Sequence, residues 1–451
     1  MSHSIPQRLP AVATDRMLYA WRFVQHQYTF IVLAFGGRLD EHRLKAAIRL
    51  AMDAEPVFGC RYVPGRKPYW ERRADLDSLD LCTVARTADF EGELNRFVAA
   101  PRDGTRDPLF DAHIVRGRTD TLLVRISHLA ADGMGSKELV SLAAYFYRNP
   151  GRAEAVSPNL ASRGPWQLFR QSGWLKCLPC LLKKPRLRAK PEWCFPVDFP
   201  HKRGVLRVAA RQLDPAVFDA LHAFGKRLGA TMNDVFVAAY FRALWRFFDF
   251  PPGIPQSILI PTSARRYLPS GRTGAICNFV VPLHATMERI AGEVLEQTVI
   301  RVRNSPLREP ARRERVVAGM FWIAVLYSLF RKPIEGALEA GLSRPPGNTR
   351  TVATLTNLGS FDPDQFDFGV PTTDIYKISQ ANFAPGILMN VSSFRKRLTF
   401  AINYPSRAIR PADIERLLDL FVEELAQASA ATLSPATPET GHPALHLPST
   451  K

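Results

Sequence analysis

The sequence predicts an α/β protein of two halves, each a mixed sheet with helices, joined by a crossover. Three observations carry this. The chain has 451 residues, too many for one compact core, and two units of about 200 residues are its natural division. Short β-branched and aromatic runs alternate with amphipathic helix patterns before residue 149 and again after residue 205. Between them, residues 149–204 are rich in Pro, Arg, Lys and Trp and hold no long period. The expected boundaries are 1–155, 156–204, 205–430 and a loose tail over 431–451, rich in Pro, Ser and Thr.

The elements follow in chain order. Residues 28–35, YTFIVLAF, predict a strand that Gly36 and Gly37 end. Asp40 suits the cap of a helix over 41–54, with Leu44, Ala47, Ile48 and Ala51 on one face. A strand over 58–63, a helix over 90–98 and a strand over 112–115 come next. Residues 122–126 and 136–147 make a strand–loop–helix unit, whose helix buries Leu139, Val140, Ala143 and Phe146. In the second half, Pro215 sits well at the start of a helix. Thr231 starts a long one, TMNDVFVAAYFRALWRFF, apolar on most sides and so buried. Strands are expected over 256–261 and 277–282, around a basic loop at 263–273, and over 352–357, 386–392 and 397–404. Pro411 opens a last amphipathic helix to residue 428.

Composition narrows the class. With 46% hydrophobic and 23% charged residues, the chain is globular in type. Six irregularly spaced cysteines argue against a disulfide scaffold and for a reducing compartment. The first twenty residues hold no apolar core of signal-peptide type. The longest near-continuous apolar run, 316–330, falls short of the roughly 20 residues that span a bilayer, and is expected to be a core helix. The reading is a cytoplasmic monomer. Segment 166–182 mixes Trp, Leu and Phe with Arg and Lys, and 183–190 is strongly basic. A surface helix packed between domains is expected there, with an interfacial, peripheral membrane contact as the alternative. The net charge of +18 favours anionic partners: a coenzyme A thioester, an acidic carrier protein, a lipid surface or nucleic acid. No Cys/His finger spacing or RNP-like aromatic set stands out, so nucleic acid is not expected.

The chemistry lies in residues 121–136, TLLVRISHLAADGMGS. Alternation along a strand puts Leu122, Val124, Ile126 and His128 on one face, so an apolar face ends in an imidazole at the strand's tip. A neutral imidazole, with a reference pKa of about 6.5, can take a proton from a hydroxyl or amine. Asp132, four residues on, can hold the loop by an ion pair or sit at the start of the next helix. Gly133 permits a close backbone approach that a side chain would block. On these residues alone, a hydrogen-bonded core histidine and an Asp-Gly turn explain the pattern better than catalysis does.

SHLAADG, however, resembles the HxxxDG signature of the chloramphenicol acetyltransferase-like superfamily. That group holds peptide-synthetase condensation domains, plant-type acyltransferases, alcohol acetyltransferases and wax ester synthase/diacylglycerol acyltransferases. Other stretches resemble the family's landmarks in order: Gly37-Arg38-Leu39-Asp40, TMNDVFVAA from Thr231, PTSAR from Pro261, Asn278-Phe279-Val280, and TNLG from Thr356. The resemblance covers residues 10–428 and feels nearest to alcohol acetyltransferases or stand-alone condensation-like enzymes. It implies two acetyltransferase-like lobes with an active-site tunnel at their interface.

It also implies roles. His128 matches the base that deprotonates the acceptor, Asp132 the structural aspartate that pairs with an arginine, and Gly133 the motif glycine. Arg265 is the candidate arginine, with Arg266 behind it. Asn357 is the candidate oxyanion donor, though it could instead cap a turn. Condensation domains and wax synthases usually carry a doubled His. Here Ser127 takes the first place, which leaves the base intact and fits acetyltransferase-like relatives better.

The expected activity is O- or N-acyl transfer from an acyl-CoA or acyl carrier protein thioester to an alcohol or amine, with no bound cofactor and no metal. The competing readings are a carrier-protein-dependent condensing enzyme and a catalytically silent binding relative. Cys177, Cys180, Cys194 and His201 could be forced into a zinc site, but their spacing is loose and reduced surface cysteines are expected. The basic loop from Arg265 to Arg272 fits donor phosphates or a solvated face almost equally.

Overall fold

Two mixed sheets carry the fold. The structure is a computed structural model and describes residues 4–151, 156–172, 178–179, 193, 195–198, 202–344 and 351–433. The first sheet runs, in spatial order, Thr372–Ile378, Tyr28–Phe35, Asp120–Ser127, Phe110–Arg116 and Cys82–Arg86. Its pairs are antiparallel except the last, which is parallel. The second runs Val280–Glu288, Pro255–Ser263, Ala353–Phe361, Leu388–Phe394, Arg397–Pro405 and Leu206–Leu213. Parallel pairing flanks Ala353–Phe361 on both sides, and the outer pairs are antiparallel.

Sequence alternation explains how the first sheet is buried. In Tyr28–Phe35, Ile31, Leu33 and Phe35 enter the main core, while Tyr28, Phe30 and Val32 enter a smaller cluster on the opposite face. The helix Phe90–Ala99 supplies Leu94, Phe97 and Val98 to that second cluster. Helix starts obey local chemistry as expected. Asp40 Oδ1 accepts the Arg43 amide at 2.9 Å, and Thr231 and Asp234 cap each other's amides before Met232–Phe248. That last helix buries ten of its residues, from Val235 to Trp245.

The apolar run over 316–330 falls on the helix Ala311–Leu329, with Phe330 as its C-cap, and that helix packs on Ala13–Ala20 and on Val280–Glu288. Among the described residues no single helix is long and apolar enough to cross a membrane. Trp166–Ser172 is helical and buries Leu168 and Phe169, and the Phe169 ring meets Phe321. The basic run 183–190, the four residues weighed as a zinc set (Cys177, Cys180, Cys194 and His201) and the tail beyond residue 433 lie outside the described residues.

Two departures from expectation matter for the site. The strand expected over 277–282 starts only at Val280. Its first three residues form a buried loop because their backbone groups are taken by side chains: Cys277 O by Arg265, and Phe279 N by Asp132. The second is Thr372–Ile378, a strand absent from the expected elements. It leaves the C-terminal half and pairs antiparallel with Tyr28–Phe35. Its alternation is broken by a lysine, Lys377, at a core-facing position, so its pattern does not read as a half-buried strand.

Candidate active site

The strand Asp120–Ser127 ends where the sequence pattern ends it. The amides of Ala130 and Ala131 turn back onto Ser127 O, at 3.1 and 3.4 Å. The His128 amide donates to Gln27 O at 2.7 Å, which fixes the residue beside the neighbouring strand. Ser127, Leu129, Ala130 and Ala131 are all buried, while His128 keeps part of its surface open.

Asn278 sets the state of the ring. Its Nδ2 donates to His128 O at 2.9 Å and to Leu129 O at 3.0 Å. Two carbonyl acceptors on one nitrogen fix which end of the amide is which. Asn278 Oδ1 therefore faces His128 Nδ1, 3.1 Å away, as an acceptor. The ring proton sits on Nδ1, and Nε2 carries a free lone pair. Burial first, and then the charge of Lys377, push the His128 pKa down to about 4, so the ring is neutral at physiological pH.

Asp132 turns away from that ring. Its Oδ1 caps the helix Gly133–Arg148 by accepting the Gly135 amide at 2.9 Å. Its Oδ2 accepts from Arg265 Nη1 at 2.6 Å and from the Phe279 amide at 2.7 Å. Burial works to raise the Asp132 pKa, but Arg265 and the two amides overcome it and hold the carboxyl below its usual value. Arg265 also donates to Cys277 O at 2.9 Å. Arg266 is exposed and makes no such contact.

Gly133 has ordinary helical surroundings but no room. A Cβ there would stand 2.6 Å from Leu358 Cδ1 and 3.4 Å from Lys377 Nζ. Asn357 does not join the group. Its Oδ1 accepts the Gly359 amide at 2.9 Å, and its Nδ2 reaches only Asn233, at 3.5 Å. It caps a turn, which was the alternative reading of that residue.

Comparison with known proteins bears on the fold. No family model matches the chain. Over 249 residues it is 26% identical to a Mycobacterium tuberculosis protein provisionally named a diacylglycerol O-acyltransferase, covering 46% of this chain and 51% of that one. Over 248 residues it is 29% identical to an uncharacterized protein of the same organism, covering 51% and 55%. The chain thus spans about half the length of the curated relatives it matches. Polyketide synthase associated protein 5 from M. tuberculosis superposes with a TM-score of 0.64 at 16% identity, covering 95% of this chain and 100% of that chain. The first condensation domain of the CDA synthetase does so with 0.66 at 16%, covering 95% and 97%. Trichothecene 15-O-acetyltransferase from Fusarium sporotrichioides gives 0.64 at 14%, covering 93% and 95%. The chain has the condensation-domain, chloramphenicol acetyltransferase-like fold.

Within this condensation-type fold, three side chains outside the HxxxDG stretch organise the centre. Asn278 orients the ring. Arg163 lies in the crossover and binds Asp15 with both terminal nitrogens, Ala130 O at 2.9 Å and Ile276 O at 3.0 Å. Lys377 arrives on the strand that crosses between halves. A sequence signal existed for Asn278, which stands in the Asn-Phe-Val segment. None existed for the other two, whose partners lie far away in the chain. Among the described residues no group of three His, Cys, Asp or Glu could hold a metal.

Proposed function

We propose that this chain is an acyltransferase that moves an acyl group from a thioester to an alcohol or amine, with His128 as general base. One observation carries the reading: at the contact of the two halves Asn278 Oδ1 faces His128 Nδ1, which leaves Nε2 to take a proton, and part of the residue's surface is open. The acceptor's oxygen or nitrogen attacks the thioester carbonyl as Nε2 takes its proton. The tetrahedral oxyanion collapses, the C–S bond breaks, and the leaving thiolate recovers that proton from the imidazolium. An ester or amide and a free thiol result, with no covalent enzyme intermediate. Donor and acceptor meet at His128 from opposite sides of the interface. Asp132 and Arg265 act by holding the loop, not by touching substrate.

A condensing enzyme fed by an acyl carrier protein is the second reading, favoured by the net charge of +18 and by the condensation-domain architecture. Thiol release from a panel of acyl-CoAs with alcohols and amines, wild type beside His128→Ala, tests the first. Turnover should vanish in the variant with the fold kept. Strict dependence on a loaded carrier would select the second. Equal turnover in the two proteins would sink the role of His128.

A further inference from the structure

Lys377 lies opposite Ile31 in the first sheet and shares the core-facing side of its strand with Ile375. It is only 3% exposed. Among the described residues its Nζ makes no hydrogen bond and no close ion pair, and the charge that favours its ammonium form is that of Asp132. The nearby carboxylate, Asp132, is already saturated by Arg265 and by the amides of Gly135 and Phe279. Glu138 lies 4.0 Å from Arg265 Nε. Lys137 adds a second buried positive charge, but its Nζ is satisfied by Leu358 O at 3.0 Å and Ser360 O at 2.6 Å.

The position of the free ammonium is specific. Its Nζ stands 3.4 Å from where a Gly133 Cβ would be. Gly133 opens the sixteen-residue helix Gly133–Arg148, so the ammonium lies beside the first residue of that helix. In the first turn Gly135 and Ser136 donate to Asp132, and among the described residues no acceptor engages the Gly133 and Met134 amides. The Lys377 charge also acts on the His128 imidazole, five residues before Gly133 in the same loop. A buried ammonium without a partner costs folding free energy. Such violations persist where function needs the charge.

We propose that Lys377 is a catalytic residue that, with the first amides of the helix, holds the oxygen anion formed on the thioester carbonyl during attack. The proposal rests on the acyl-transfer reading above. When the acceptor bonds to the carbonyl carbon, the C=O π pair moves onto oxygen, which takes a hydrogen bond from Nζ. The ammonium keeps its proton throughout. The pair returns to C=O as the C–S bond breaks. A preorganised cation in a water-poor site stabilises the transition state more than the neutral substrate, so it acts on kcat.

Lys377→Met keeps the chain length and removes the charge. With acyl donors and neutral or carboxylate-bearing acceptors, kcat should fall about 10²–10³-fold for all pairs, as for loss of one oxyanion donor, with KM little changed. The melting temperature should stay level or rise, since an unpaired buried charge has gone. The His128 imidazole, followed by NMR, should titrate closer to its ordinary value. Unchanged kcat beside an inactive His128→Ala would overturn the proposal and leave acyl transfer standing. A rise in KM confined to carboxylate-bearing acceptors would overturn it in favour of a substrate-carboxylate site. An unmoved His128 titration would also overturn it. A wild type that releases no thiol from any donor would remove the acyl-transfer reading, and this proposal with it.

Discussion

Asn278 holds His128 from both ends: its amide nitrogen grips the backbone carbonyls of His128 and Leu129 while its oxygen accepts the ring's Nδ1 proton. The two residues are 150 positions apart and come from different halves of the chain. The state of the ring is therefore set by how the halves meet.

That relationship predicts the effect of removing it. Asn278→Ala frees the ring to rotate and to change tautomer. Turnover should fall about 10–100-fold, a fraction of what positioned proton transfer supplies. The loop should also loosen, because two carbonyls lose their donor. Steady-state kinetics with circular dichroism check this, and undiminished kcat would count against the orientation role.

Arg265→Ala should behave differently. It leaves Asp132 buried without its cation, which costs on the order of 3–5 kcal/mol. Asp132→Asn strands Arg265 instead and should cost a comparable amount. His128→Ala removes no buried ion pair and should unfold near the wild-type denaturant midpoint. Urea titrations of the three variants separate these outcomes. Equal midpoints for all three would refute the division between a structural pair and a chemical group.

The pH dependence has a defined sign. His128 is depressed to about 4, first by burial and then by Lys377. On the acid side, activity should hold through the pH range where an ordinary histidine protonates and fall as the pH approaches 4; on the alkaline side it should fall as the Lys377 ammonium, depressed by burial to about 8, loses its proton. Stability follows His128 as well. Between its unfolded value of 6.5 and about 4, the unfolded chain binds the proton that the folded one refuses, so stability declines as pH falls through that window. Asp132, held below its usual value, loses its contribution at still lower pH, as its carboxyl protonates. Melting curves across pH should show less decline for His128→Ala than for the wild type in the first window.

Ser127 stands where a doubled-histidine relative has its first ring, and packing explains the small residue. It is fully buried, and a Cβ on Gly104 would stand 3.3 Å from its Oγ and 2.7 Å from Leu129 Cδ1. Ser127→His overpacks this corner and should destabilise by about 1–3 kcal/mol or more. A calorimetric scan checks it, and a variant as stable as the wild type would show the corner has room.

Local pattern determined a good part of this protein. Apolar alternation ending at His128, Asp132 before a helical period, and the capped helices after Asp40 and Thr231 follow from short-range geometry and capping chemistry, which act within a few residues. The family resemblance added the Asp132–Arg265 pairing, and the fold places those two side chains together. What only the tertiary structure decided are the relations between distant segments. Residues 277–279 are a loop and not a strand because long-range side chains occupy their backbone groups. Asn357 turns to its own turn. Lys377 comes beside Gly133 because a strand from one half completes the sheet of the other. No local propensity encodes such contacts, since their free energy exists only once the halves have closed on each other.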